Sequence, residues 1–174
     1  MKQKDFEFQI AFSFAQEDLK IAKAIAAELK RLNITYYLYT EELTIGRDIT
    51  KETFQVYYEK SLFGLMMISE NYIRKNWAIK EREIMQAVDR NVDHPYIIPL
   101  RLDDTQVEGL SPTVKYWNWD NNPSYIAISI YQLIYDILND KQNDSSSNLV
   151  NNDTYNTRTL NKFEGNVNDI TFNQ

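Results

Sequence analysis

Ser69 to Arg90, SENYIRKNWAIKEREIMQAVDR, is the stretch whose reading decides the fold. Asn76 is a good helix N-cap residue, and no Gly or Pro follows it before the charged pair Asp89-Arg90. The pattern predicts a helix from about Trp77 to Asp89. On it Trp77, Glu81, Ile84 and Val88 recur at i, i+4, i+7 and i+11 and form one stripe, three apolar residues and one carboxylate. Burying a carboxylate without a partner costs on the order of several kcal/mol, so Glu81 needs a reason to be there. Either it lies at the margin of the stripe, tolerated by the helix dipole, or the N-terminal end of the stripe lines a cleft. In the second case Trp77 offers a flat apolar face and Glu81 a charge.

Working outward, Leu62 to Ser69, LFGLMMIS, reads as a buried third strand that delivers the chain into this helix. Phe6 to Phe14, FEFQIAFSF, alternates and then becomes wholly apolar, the mark of a strand covered on both faces, and is expected to be the first and central strand. Ile21, Ile25, Leu29 and Leu32 then keep helical spacing until Asn33 stops the helix, and Ile34 to Tyr39, ITYYLY, is β-branched and aromatic enough for a second strand. Thr40 to Ile49, TEELTIGRDI, is a long polar loop with Gly46 and Arg47 near its tip; it is either a functional loop or plain surface variation. A short helix from about Thr50 to Lys60 follows. Downstream, Tyr96 to Leu102 is a fourth strand that Pro99 places at an edge, Lys115 to Trp119 a short fifth, and Tyr125 to Leu138 a helix. Alternating strands and helices predict an α/β fold with a mostly parallel five-stranded sheet and helices on both faces.

The folded domain is expected to span residues 1–140. Residues 141–174 read as a polar linker and C-terminal tail: Asp140 to Thr159 is rich in Asn, Asp and Ser, while Phe163 to Gln174 regains some apolar alternation and is either a docking segment or a tail. The 174 residues, 43% of them apolar, suffice for one domain with a core. A net charge of -6 argues against broad nucleic-acid or anionic-membrane binding. No membrane span or signal-peptide core is visible, so a cytoplasmic location is expected. The absence of cysteine removes thiol chemistry and Cys-based metal sites, and the lone His94, beside Pro95, reads as a turn residue. No metal site is expected.

Parallel sheets bind ligands beyond the carboxyl ends of their strands, which here brings Ser13 to Gln16, Tyr39 to Arg47 and Ser69 to Glu81 to one crevice. With only four glycines, the chain carries neither a dinucleotide fingerprint nor a phosphate-cradling loop, and a phospho-acceptor receiver would want an Asp where strand three ends in Ser69. One carboxylate beside an aromatic, with no nucleophile-base pair, suits cleavage of a glycosidic bond whose leaving group is already good. Nicotinamide leaving from NAD⁺ is such a case, although spacing alone does not single it out.

The segments FQIAFSFAQED, ITYYLYTEELTIGRD, LMMISENYIRKNWAIKERE and YIIPLRLDDTQVEGLSPTV, in that order, resemble a bacterial TIR (Toll/interleukin receptor) domain over about Phe6 to Leu138. The resemblance implies a flavodoxin-like TIR fold. Ser69, Tyr72, Trp77 and Glu81 resemble the family's segment ending in W-x-x-x-E, with Ala78 where the family often has cysteine. It implies an NAD⁺ glycohydrolase or ADP-ribosyl cyclase with Glu81 as catalytic residue and NAD⁺ as substrate, with no separate cofactor. By the same match Trp77 borders the nicotinamide side, Phe14, Ala15 and Gln16 flank the nucleotide, and Tyr39 and Thr44 face the site. Arg47 is a candidate for the phosphates. Residues 40–49 resemble the family's BB loop, which implies self-association into a homo-oligomer. The family's roles further imply antiphage defence with a separate sensor or effector protein, or, as the alternative, a non-catalytic adaptor acting by self-association.

Overall fold

The computed structural model describes residues 6–39, 54–107 and 115–146, without the side chains of Trp77 and residues 140–146. Five strands, β1 (Phe8–Ser13), β2 (Tyr36–Tyr37), β3 (Ser61–Ile68), β4 (Ile97–Arg101) and β5 (Trp117–Asn118), form one sheet in the order β2-β1-β3-β4-β5, with every neighbouring pair parallel. The helices are α1 (Leu19–Arg31), the wide π-helical α2 (Val56–Lys60), α3 (Glu70–Ile73), α4 (Asn76–Asp89) and α5 (Pro123–Ser146). A 3₁₀ turn, Gln16–Asp18, leads into α1.

The sheet is covered on both faces. On one, Ala22, Ile25, Ala26 and Leu29 of α1 and Ile126, Ile130 and Ile134 of α5 pack against Ile10, Phe12, Phe63 and Leu65. On the other, Val56 and Tyr57 of α2, Tyr72 of α3 and Ala78, Met85 and Val88 of α4 pack against Ala11, Met66 and Ile68. Both faces of β3 are therefore buried along its whole length, which accounts for its unbroken apolar run. Asn33 ends α1 in the left-handed region at φ 56°, which Asn tolerates better than most residues.

Several boundaries differ from expectation. The centre of the sheet is β3, and β1 lies inside it next to the short β2. The residue before α4 is Lys75, with Asn76 already in the first turn; Lys75 is extended at ψ 124° and sends its side chain to Glu17 instead of capping. Met85 and Ala78 join Val88 as the buried side chains of α4, while Glu81 and Ile84 lie at the border. The β4 strand is not an edge, because β5 pairs with it, but only at Leu100 and Arg101. Leu102 N–H donates to β3 and the Arg101 carbonyl accepts from β5, so by alternation the Pro99 nitrogen faces the side that β5 does not reach. The last helix is longer than expected and runs past Asn139 to Ser146. By contacts the chain divides into Met1–Asn139 and Asp140–Gln174.

Candidate functional site

The chain leaves β1 toward β2 on one side and crosses to β3 on the other, so the β1/β3 border is the topological switch point where open parallel sheets place ligands. Ser13 ends β1 there, Ser69 follows β3, and α4 brings Glu81 over the same border.

Glu81 is half-buried, with its carboxyl turned toward the strand ends. Ser13 Oγ donates to Glu81 Oε2 at 2.7 Å, and Tyr57 Oη lies 3.2 Å from the same oxygen. The Tyr57 hydroxyl also donates to the Phe12 carbonyl at 2.7 Å, and Tyr72 Oη sits 2.8 Å from Ser13 Oγ. Burial pushes the Glu81 carboxyl up to about 7, against the pull of the hydrogen bonds from Ser13 and Tyr57. The same burial, with the Glu81 charge adding to it, raises the hydroxyls of Tyr57 and Tyr72, so both remain neutral donors. A carboxyl that burial brings near neutrality at the switch point of a parallel sheet is a candidate working group.

Neighbouring contacts hold this arrangement. Tyr96 Oη donates to the Tyr57 carbonyl at 2.8 Å, one of the carbonyls that the end of a helix leaves without a partner. Ser69 is the N-cap of α3: its Oγ accepts from Tyr72 N–H at 3.1 Å and donates to Asp18 Oδ2 at 2.5 Å. Burial raises the Asp18 carboxyl, with the Ser69 hydrogen bond opposing it and the charges of Glu17 and Asp103 adding to it.

The expected site residues fall in different places. Phe14 is buried on the α1 and α5 face, opposite Glu81, and Ala15 is buried on the Glu81 face. Gln16 is exposed, and Tyr39 is half-buried just beyond β2. Trp77 lies in the first turn of α4, four residues before Glu81, but its side chain lies outside the described residues, as do Thr44, Arg47 and the whole of residues 40–49. His94 is structural: its ring is buried, with Nε2 3.3 Å from the Leu62 carbonyl and its edge against Phe63. Tyr57 was not foreseen. Nothing in KETFQVYYEK separates it from its neighbour Tyr58, which is exposed. Ser13 and Tyr72 stand in segments that the sequence already assigns to the crevice, but their contact with one another and with Glu81 is tertiary.

No described helix is long and apolar enough to cross a membrane. Residues 10–133 match the TIR domain family. Over 133 residues the chain is 31% identical to the 3′ cyclic ADP-D-ribose synthase AaTIR of Aquimarina amphilecti, a match that takes in 75% of this chain and 41% of that protein. The chain thus spans less than half the length of that relative. Among solved structures, the TIR domain of the Toll-related receptor TRR-2 from Hydra magnipapillata matches with a TM-score of 0.60 at 17% identity, over 74% of this chain and 98% of that one. A metazoan TIR-STING receptor from C. gigas matches at 0.59 and 14%, over 77% and 41%. Both likenesses are of fold alone.

Proposed function

The chain belongs to the TIR domain family, and from that premise we propose that it cleaves the nicotinamide–ribose bond of NAD⁺, with Glu81 as the catalytic carboxylate. NAD⁺ is the substrate and not a resident cofactor. The observation that carries the reading is the Glu81 carboxyl itself, half-buried at the switch point and held by two neutral hydroxyls, with no basic side chain among the described residues bonded to it. A fixed negative charge there favours an oxocarbenium-like ribosyl centre, and the positive nicotinamide ring of the bound substrate favours the ionised carboxyl. As the glycosidic bond breaks, nicotinamide leaves with the electron pair. The ribosyl carbon then takes an oxygen of water, giving ADP-ribose and a proton, or a nucleophile of its own ADP-ribosyl half, giving a cyclic product. The name of the Aquimarina relative, a 3′ cyclic ADP-D-ribose synthase, supports the cyclic outcome.

Trp77, Gln16, Tyr39, Thr44 and Arg47 are proposed to line the substrate path, with Phe14 and Ala15 shaping it through the backbone. The proposal places the enzyme in the cytoplasm, active as a homo-oligomer assembled through residues 40–49 and other TIR surfaces, in antiphage defence with a separate sensor or effector. Residues 1–140 carry the activity, and the residues after α5 serve as linker and tail.

Incubating NAD⁺ with concentrated wild-type protein and with Glu81→Gln, followed by chromatography and mass detection of every product, tests the assignment. Wild type should release nicotinamide and the variant should not, since Gln keeps the shape and removes the charge. Equal release by both would remove Glu81 from catalysis. Release by neither, even with a crowding agent to drive assembly, would favour an adaptor.

A further inference from the structure

Glu81 has two carboxyl oxygens, and the structure uses them unequally. Both hydroxyl contacts fall on Oε2, from Ser13 at 2.7 Å and Tyr57 at 3.2 Å. Oε1 accepts no hydrogen bond among the described residues. Among the described residues the buried polar atoms left without a partner are Ser61 Oγ and Arg101 Nε, and Oε1 of the half-buried Glu81 is not one of them. The last torsion of a glutamate is broad and roughly two-fold, so without anchors the two oxygens would exchange places.

We propose that Ser13 and Tyr57 are positioning residues that clamp Oε2 of Glu81 and thereby present Oε1, in one orientation, to the ribose of the substrate. The inference rests on the NAD⁺-cleaving reading of this site and extends it to two residues that act through Glu81 without touching the substrate.

The hydrogen count supports the clamp. Ser13 has one hydroxyl hydrogen, and the carboxylate is its strongest acceptor, so the 2.8 Å contact with Tyr72 is filled by the tyrosine donating to Ser13 Oγ. Tyr72 is fixed in turn by its backbone N–H on Ser69 Oγ, and Ser69 by its bond to Asp18. A line of contacts therefore runs from Asp18 through Ser69, Tyr72 and Ser13 to Glu81, spanning the ends of β1 and β3. Tyr57 shares its single hydrogen between the Phe12 carbonyl at 2.7 Å and Oε2, and Tyr96 fixes its backbone from below. Both anchors are thus anchored themselves, which a group present only to fill space would not require. Among the described residues, the titratable groups facing this carboxyl are Tyr57 from α2 and Tyr72 from α3. Arg82, next along α4, acts on Tyr72, and Asp18 connects to Glu81 through Ser69, Tyr72 and Ser13.

The test uses the full chain with Ser13→Ala, Ser13→Thr and Tyr57→Phe. The measurements are NAD⁺ cleavage as a function of pH and, independently of turnover, titration of the ¹³C-labelled Glu81 carboxyl by NMR. Removing a donor to the charged form disfavours it, so Ser13→Ala should move the carboxyl titration and the acid limb of kcat/KM up together by about one pH unit. The loss should be about tenfold below about pH 6, about fivefold near pH 7, and nearly gone by about pH 9, where the carboxyl is ionised in either protein. Ser13→Thr keeps the hydroxyl and should restore the profile, and Tyr57→Phe should move it in the same direction by less, its contact being longer. An unmoved titration in folded variants, or a loss by the same factor at every pH, overturns the clamp. If Ser13→Ala does not fold, Tyr57→Phe decides alone. If wild type cleaves no NAD⁺, the functional reading falls, while the titration still decides whether these hydroxyls hold the carboxyl.

Discussion

Replacing Glu81 with Gln should make the folded protein more stable at about pH 8 while removing its activity. Burial raises the Glu81 carboxyl from 4.5 to about 7 in the folded chain. At about 1.4 kcal/mol for each tenfold change, that rise corresponds to roughly 3 kcal/mol of penalty once both states are ionised. The sign follows from proton binding. Below about pH 4.5 the carboxyl is protonated whether the chain is folded or not, and no penalty applies. Between there and about 7 the unfolded chain releases the proton while the folded chain keeps it, so stability falls as pH rises; above 7 the full penalty is present. Glutamine carries no charge at any pH, and its carbonyl oxygen can still accept from Ser13. Glu81 is only half-buried, which lessens the penalty, so the expected advantage of the variant is about 2 kcal/mol at pH 8, shrinking to under about 1 kcal/mol near pH 5. Urea unfolding of both proteins at the two pH values measures it. The double difference cancels the other titrating groups, including Asp18, whose carboxyl is also raised by burial. An advantage that is the same at both pH values, or one that favours wild type at pH 8, would refute the argument that this carboxyl is held in a poorly solvated place at a cost to the fold. The expected outcome is a trade of stability for chemistry at one residue.

Two further substitutions test the frame around the site. A Cβ added at Gly64, in the central strand, would lie 3.0 Å from the Tyr96 ring and closer still to the end of Met85. Met85 can bend away, but Tyr96 is tied to the Tyr57 carbonyl, so Gly64→Ala should cost about 1–3 kcal/mol by urea unfolding; a neutral result would mean that the α4 face is looser than its contacts indicate. Ser69→Ala removes both the N-cap of α3 and the partner of a buried carboxyl, and should cost about 1–2 kcal/mol in thermal or urea melts at neutral pH. A loss below about 0.5 kcal/mol would show that Asp18 finds another donor.

The strands and helices that need only their own residues were legible from the chain. The unbroken apolar run from Leu62 to Ile68 marks β3 because a strand buried on both faces can carry little else, and Ile25 and Leu29 mark α1 because helical spacing puts them on one face. Asn33 stops α1 for a reason local to its own backbone. Glu81 stood out because a carboxylate at the border of an apolar stripe has to be explained. The strands that depend on neighbours were harder to read: β2 and β5 are two residues each, and whether Pro99 marks an edge depends on how far β5 extends beside it. The site itself lay further still from view. Ser13, Tyr57, Tyr72 and Glu81 come from a strand end and three helices, separated by up to 68 residues, and no period in the sequence relates them. Periodicity reports which face of an element meets the core, because that depends on residues within a turn or two of one another. Which hydroxyl meets which oxygen depends on how the elements cross, and here that crossing selected one of two adjacent tyrosines, Tyr57 over Tyr58, to hold the carboxyl.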